Sequence, residues 1–213
     1  MARQVTFETM LRMLRGAAAE IRANHELLGR LDSVGGDGDH GTTMVRAMAR
    51  LEQAADAADG GLKALLNDVG WGILGVDGGA TGPLLGMLFM SMAEAAGEAE
   101  GLDTPALAGL FEAGLAGVRA QTKAQPGDKT MLDALIPAVG ALRAAADGGA
   151  EVVEALHLAA EAARAGAEAT AALQARFGRA RNIKEQSIGT QDPGATSVSL
   201  IFKGFSKGVE EHA

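Results

Sequence analysis

Apolar residues recur along this chain at three-to-four spacing in one segment after another, the period of an amphipathic helix rather than the alternation of a strand. In residues 6–30 the stripe is Phe7, Met10, Leu11, Leu14, Ala18 and Ile21, with His25 or Leu28 continuing it. Comparable segments cover 42–58, 62–74, 82–98, 105–120, 129–145, 151–177 and 195–212, so the pattern predicts eight helices, give or take one. In 151–177 it is carried by Ala alternating with Leu and charged residues. Ala has the best intrinsic helix propensity, and its small side chain lets helices approach closely. Strand-like runs occur only at 72–76 and 197–202, and both continue into helical patterns. The expected fold is all-α, an eight-helix antiparallel up-and-down barrel or bundle, with residues 1–213 forming one domain.

The connections are of two kinds. Those at 59–61, 101–104 and 147–149 are bland, whereas 31–41, 75–82, 122–130 and 178–194 concentrate Gly with Asp, Thr, Lys or Arg. In an up-and-down bundle alternate loops share an end. The chemically loaded loops are the first, third, fifth and seventh, which places a single composite site on one rim.

Composition narrows what that site can be. Nineteen Lys and Arg against 27 Asp and Glu give a net charge of −8, with 3 % aromatics and no Tyr. A nucleic-acid reader needs a basic face and usually stacking rings, so direct nucleic-acid binding is not expected. The absence of Cys excludes disulfides, thiolate metal sites and cysteine nucleophiles. The N-terminus has no apolar leader core or cleavage site, and the longest apolar stretch, 83–93, falls far short of the roughly 20 residues of a membrane span. A cytoplasmic protein without a membrane segment is the expectation.

The first loaded loop runs Leu31-Asp32-Ser33-Val34-Gly35-Gly36-Asp37-Gly38-Asp39-His40-Gly41-Thr42-Thr43. Asp32, Asp37 and Asp39, spaced by glycines that let the backbone turn tightly, are the charged oxygen ligands a hard divalent cation such as Mg²⁺ requires. A helix starting at about 41–43 would aim its amides and dipole at the same place, where a phosphate could bridge metal and helix terminus. A lone Asp-Gly loop would more often be a capped turn; three carboxylates with His40 and two threonines favour metal and phosphate. Gly36-x-Gly38-x-x-Gly41 matches a dinucleotide fingerprint formally, but no strand precedes it. An EF-hand starting at Asp37 fails because Thr42 replaces its glycine and Met48 its bidentate Glu.

The second loop, with Gly79, Ala80, Thr81 and Pro83, reads either as a phosphate or ribose cradle or as a tightly packed helix start. In the third, Asp128 could cap the next helix, and Met131 could lie against a base or enter the core. The fourth is too long for an idle connection in a compact domain and reads as an ordered lid. It carries Arg179, Arg181 and Lys184 as cations for phosphate oxygens or an acidic partner, and Ile183 and Ile188 as apolar anchors. Trp71 is expected in the core or an interface, His25 and His157 on helix faces, and the methionines mainly in the core. No Ser-His-Asp arrangement or paired general acid and base is evident, so the chemistry is positioning plus metal electrostatics, as in phosphoryl transfer.

Taken together, Gly36-Asp37-Gly38-Asp39-His40-Gly41-Thr42, Gly79-Ala80-Thr81-Gly82-Pro83, Pro126-Gly127-Asp128-Lys129-Thr130-Met131-Leu132-Asp133, Gly178-Arg179-Ala180 and Asp192-Pro193-Gly194-Ala195-Thr196-Ser197 resemble the nucleotide-binding L subunit, or Dak2 domain, of dihydroxyacetone kinases, in its order and spacing. That resemblance implies an eight-helix barrel in which Asp32, Asp37 and Asp39 hold two Mg²⁺ ions bridging the phosphates of ADP or ATP. It implies nucleotide contacts from His40, Gly41, Thr42, Thr43, Gly79, Ala80, Thr81, Gly127, Met131, Arg179, Asp192, Pro193 and Gly194. In that family a separate DhaK-type subunit holds the short ketose covalently on a histidine, and nothing in this chain matches it. A DhaM-type phosphohistidine donor serves one branch and exchangeable ATP the other; a homodimer is a further expectation. Thr122, Thr81, Thr190 and the run 182–186 depart from the usual pattern. They bear on ketose and donor, and leave open a four-carbon ketose or a nucleotide-dependent partner of a transcription factor.

Overall fold

The computed structural model describes residues 4–210. Its elements are β1 (Val5–Thr6), α1 (Phe7–Ala23), α2 (His25–Asp32), α3 (His40–Ala57), α4 (Gly61–Leu74), α5 (Thr81–Ala96), β2 (Gly101–Leu102), α6 (Thr104–Gln121), α7 (Leu132–Asp147), α8 (Val152–Ala169) and α9 (Pro193–Glu210). Two 3-10 segments, Thr170–Ala172 and Arg179–Ser187, lie between α8 and α9. The fold is all-α, each main helix packing on the next and α9 returning to α1 to close the ring.

Helix boundaries follow local chemistry. The Thr6 hydroxyl accepts the Thr9 amide at 3.3 Å to start α1, and Asp103 accepts the Ala106 amide at 2.9 Å to start α6. The predicted helix over 6–30 is two helices. Asn24 leaves helical geometry (φ −118°, ψ 13°) while its side-chain amide donates to the Glu20 carbonyl at 2.8 Å, giving the backbone a local alternative to continuing α1. Nine α-helices therefore stand among the described residues where eight were expected, α2 extending the α1 position in the ring. The helix expected over 151–177 ends at Ala169, where the fully buried Thr170 turns its hydroxyl back onto the Ala167 carbonyl. The one expected from 129 starts at Leu132, and the one expected over 195–212 starts at Pro193, its last two residues lying outside the described range. Both strand-like runs are helical over most of their length, while a two-residue antiparallel pairing of β1 with β2 has no sequence signal.

The ring is tightest where α1 meets α9. Gly16 and Gly204 face one another so closely that a methyl on either would strike the other's backbone, and Gly208 abuts the Arg12–Met13 backbone in the same way. Glu20 sits on this seam with Lys203 at 2.9 Å and Lys207 at 2.5 Å. Inside the ring Phe111, Phe202 and Phe205 form a triad with centroids 5.3–5.8 Å apart, surrounded by Leu, Met and Ala. The edge-to-face pairs of Phe205 with Phe111 and Phe202 add to area burial and hold α9 against α6. Trp71 is not a core residue: it is 57 % exposed on α4. No helix among the described residues is long and apolar enough to cross a membrane.

Candidate functional site

Residues from all four loaded loops line one cleft of about 590 Å³ at one end of the barrel. His40, Thr81, Leu132 and Pro193, the first residues of α3, α5, α7 and α9, all reach it. Four helix N-termini converge there, and their first-turn amides and dipoles make the cleft favourable for an anion.

Asp32, Asp37 and Asp39 place carboxylate oxygens within 4.8 Å of one another at its mouth. The loop is shaped for this. Gly38 takes a left-handed conformation (φ 79°), and a side chain at Gly36 would collide with the Asp32 carboxylate. Asp32 Oδ2 accepts the Gly38 amide at 2.9 Å and the His40 amide at 3.3 Å, so this carboxylate also organises the loop. A compact, all-oxygen, triply acidic donor set fits Mg²⁺. Arg179 forms an ion pair with Asp37. Desolvation works to raise the Asp37 pKa, but the bonds from Arg179 and Asp39 outweigh it and hold it below the usual carboxylate range.

His40 bridges the two sides of the cleft: its Nε2 lies 2.8 Å from the fully buried Ser197 hydroxyl of α9. Burial pushes its pKa down, against the pull of Asp32, the Pro193 backbone and Asp39. The lining also includes the apolar side chains of Leu84, Met131, Leu132, Phe177 and Pro193. Met131 is both buried in the core and part of this lining, so the two readings of it are compatible.

Of the expected contact residues, Asp32, Asp39, His40, Gly79, Ala80, Thr81, Met131, Arg179, Asp192, Pro193 and Gly194 line the cleft. Asp37 stands at its mouth with the other two carboxylates. Gly41, Thr42, Thr43 and Gly127 are not among the residues that line it. Gly41 lets α3 approach the His25 carbonyl, where a methyl would clash; Thr43 packs under Gly78. Gly127, at φ 91°, donates its amide to Asp133 at 2.5 Å. Asp128 does not cap α7: it accepts the Gln125 amide within its own loop, while Asp133 accepts from Gly127 and Thr130. The expected lid carries the 3-10 stretch Arg179–Ser187; of its two expected apolar anchors Ile188 is 48 % exposed, whereas Ile183 approaches Gly35. Sequence reasoning gave no role to Lys129 or Ser197; a lysine inside a run of Asp and Gly carries no signal of burial.

Asp192 Oδ2 accepts the Ala195 amide at 2.7 Å at the start of α9. Burial, reinforced by the Asp133 charge and opposed by Ala195, Lys129 and Gly194, raises its pKa to about 7. The stability its neutral form contributes is full below about pH 4, where the unfolded chain is also protonated, and is gone above about pH 7. Asp192→Asn, permanently neutral and still able to accept the Ala195 amide, should gain in melting temperature relative to the parent as pH rises across that window. A difference that stays constant from acid to neutral pH contradicts the assignment.

Fold and site together define an all-α domain with a cluster of three carboxylates at the mouth of a cleft ringed by helix N-termini. The DAK2 domain pattern matches residues 34–207. The chain is 38 % identical, over 87 % of its length and 89 % of the relative's, to the ADP-binding subunit DhaL of the PEP-dependent dihydroxyacetone kinase of Escherichia coli. It is 39 % identical to the L-erythrulose 1-kinase of Mycolicibacterium smegmatis, matching 86 % of this chain but 32 % of that protein. The crystal structure of C. freundii dihydroxyacetone kinase with AMP-PNP and Mg²⁺ superposes with a TM-score of 0.69 at 27 % identity, covering 92 % of this chain and 33 % of that one. The chain belongs to the DAK2 domain family. Its relatives are dihydroxyacetone and erythrulose kinases, which are phosphotransferases.

Proposed function

We propose that this chain is the Mg²⁺–ADP/ATP-binding subunit of a dihydroxyacetone-type kinase, acting on a short ketose held by a separate DhaK-type subunit. The observation that carries the reading is the joining of the Asp32, Asp37 and Asp39 cluster to a cleft ringed by helix N-termini. Asp32, Asp37 and Asp39 would hold the metal, two ions in the full site, and Mg²⁺ supplies charge neutralisation on the phosphate oxygens. At the start of α3 the amides of Gly41 and Thr42 would serve the phosphates, those of His40 and Thr43 being taken by Asp32 and the Asp39 carbonyl, and the start of α5 at Thr81 adds to them. His40, held by Ser197, would orient the phosphates. Arg179 neutralises a further phosphate oxygen from the lid. Met131 and the other apolar side chains of the lining exclude water and take the base, and the Asp192-Pro193-Gly194 turn closes the cleft beside it. Transfer then depends on positioning and electrostatics rather than on a protein nucleophile.

The identity to an erythrulose kinase supports a four-carbon ketose as a second reading. A cytoplasmic location, a DhaM-type phosphohistidine donor and a homodimer belong to the same proposal. The test is reconstitution with a DhaK-type subunit and Mg²⁺, supplying ATP in one arm and a phosphohistidine donor in the other. Ketose phosphate should appear only when both subunits are present. Faster turnover of erythrulose than of dihydroxyacetone selects the second reading, and no phosphorylated ketose with either donor overturns both.

A further inference from the structure

The segment between α8 and α9 shapes one wall of the cleft, yet it has almost no core of its own. Between residues 173 and 191 only Ala175 and Ser187 are buried. Its ends are tied to the end of α8, the Gly189 amide donating to the Ala171 carbonyl at 2.8 Å and the Asp192 amide to the Thr170 hydroxyl at 2.8 Å. Its interior converges on Lys129, which enters from the loop before α7. Nζ donates to the carbonyls of Leu173 at 3.1 Å, Ser187 at 2.5 Å and Thr190 at 2.6 Å. An ammonium has three protons, and all three are used on this one segment. Lys129 is almost fully buried and holds a left-handed backbone (φ 61°), uncommon for a residue with a side chain and maintained only where the surroundings impose it. The Ser187 hydroxyl completes the knot, accepting the Ala175 amide and donating to the Lys184 carbonyl.

We infer that Lys129 is a positioning residue: although it lines the cleft, its ammonium spends all three protons stapling the lid through three carbonyls, and it thereby sets Arg179 and Arg181 at the cleft. The barrel helices pack independently of this staple, so removing it should release the lid and leave the ring standing. The part concerning nucleotide rests on the function proposed above, whereas lid order can be measured without any ligand.

Lys129→Met keeps an apolar stem and removes the three donors; Lys129→Gly also suits the left-handed backbone and stands in if the first variant does not fold. Limited trypsin digestion of the ligand-free protein should cut after Arg179, Arg181 or Lys184 about tenfold faster in either variant, with helicity unchanged. ADP affinity in Mg²⁺ should fall about tenfold. Adding Lys129→Met to an Arg179→Ala/Arg181→Ala background should weaken ADP no further, because the staple acts through those guanidiniums. Unchanged digestion in both variants, or a full additional loss in that background, overturns the inference. A parent protein that binds no ADP overturns the functional reading instead, and the digestion then still decides whether Lys129 staples the lid.

Discussion

Asp37→Asn should weaken ADP binding in Mg²⁺ by about a hundredfold or more while leaving the circular dichroism spectrum and melting temperature unchanged. Asp37 is the most exposed of the three clustered carboxylates, and its ion pair is with the lid residue Arg179. Its substitution removes one of three negative charges from the carboxylate cluster and leaves the Asp32 bonds to the Gly38 and His40 amides in place. A hundredfold loss corresponds to about 2.7 kcal/mol, a reasonable share for one charged ligand of a site with three. Asp32 should behave differently: it accepts the Gly38 and His40 amides, so Asp32→Ala should disturb the loop as well as the metal. Isothermal titration with ADP separates the two cases. Parent-like affinity of Asp37→Asn would remove this residue from the metal centre.

The second large effect concerns the barrel. Gly204→Ala should cost roughly 3 kcal/mol and lower the melting temperature by roughly 10 °C. The α1–α9 seam closes the ring, and Gly16 and Gly204 meet there backbone to backbone with no room for a methyl group. Helices normally pack at about 8–10 Å between axes, with side chains filling the space; here glycines permit a closer approach. Because α9 begins at the Asp192-Pro193-Gly194 turn, a displaced seam also moves one wall of the cleft. Gly140, in α7, makes the control: nothing lies within 4 Å of a methyl at that position. Gly140→Ala should stabilise by up to about 1 kcal/mol through helix propensity. Thermal denaturation of the two variants side by side checks this, and equal stabilities would contradict the packing argument.

Much of this was legible in the residues. Helical periodicity survives in sequence because each helix buries one stripe in the ring, and the alternation of plain and loaded loops follows from the up-and-down topology. The Asp cluster was readable because its three members lie within eight residues, so a single loop brings them together. What stayed hidden depends on contacts distant in the chain. The break at Asn24 hangs on one side-chain amide reaching back to Glu20, which the continuous apolar stripe conceals. The pairing of His40 with Ser197 spans 157 positions, and Lys129 reaches carbonyls 44 to 61 residues away. Backbone carbonyls carry no residue identity, so a lysine that binds three of them resembles any surface lysine. Of the two places expected for Trp71, core or interface, its 57 % exposure on α4 removes the core.

The most direct test of the central claim is a calorimetric titration of the nucleotide-stripped protein with ADP, once in Mg²⁺ and once in EDTA. Joint binding of metal and phosphates in one cleft requires micromolar or tighter affinity in Mg²⁺ and a loss of about a hundredfold or more when the metal is chelated. No binding in Mg²⁺, or equal affinity with and without it, would contradict the account.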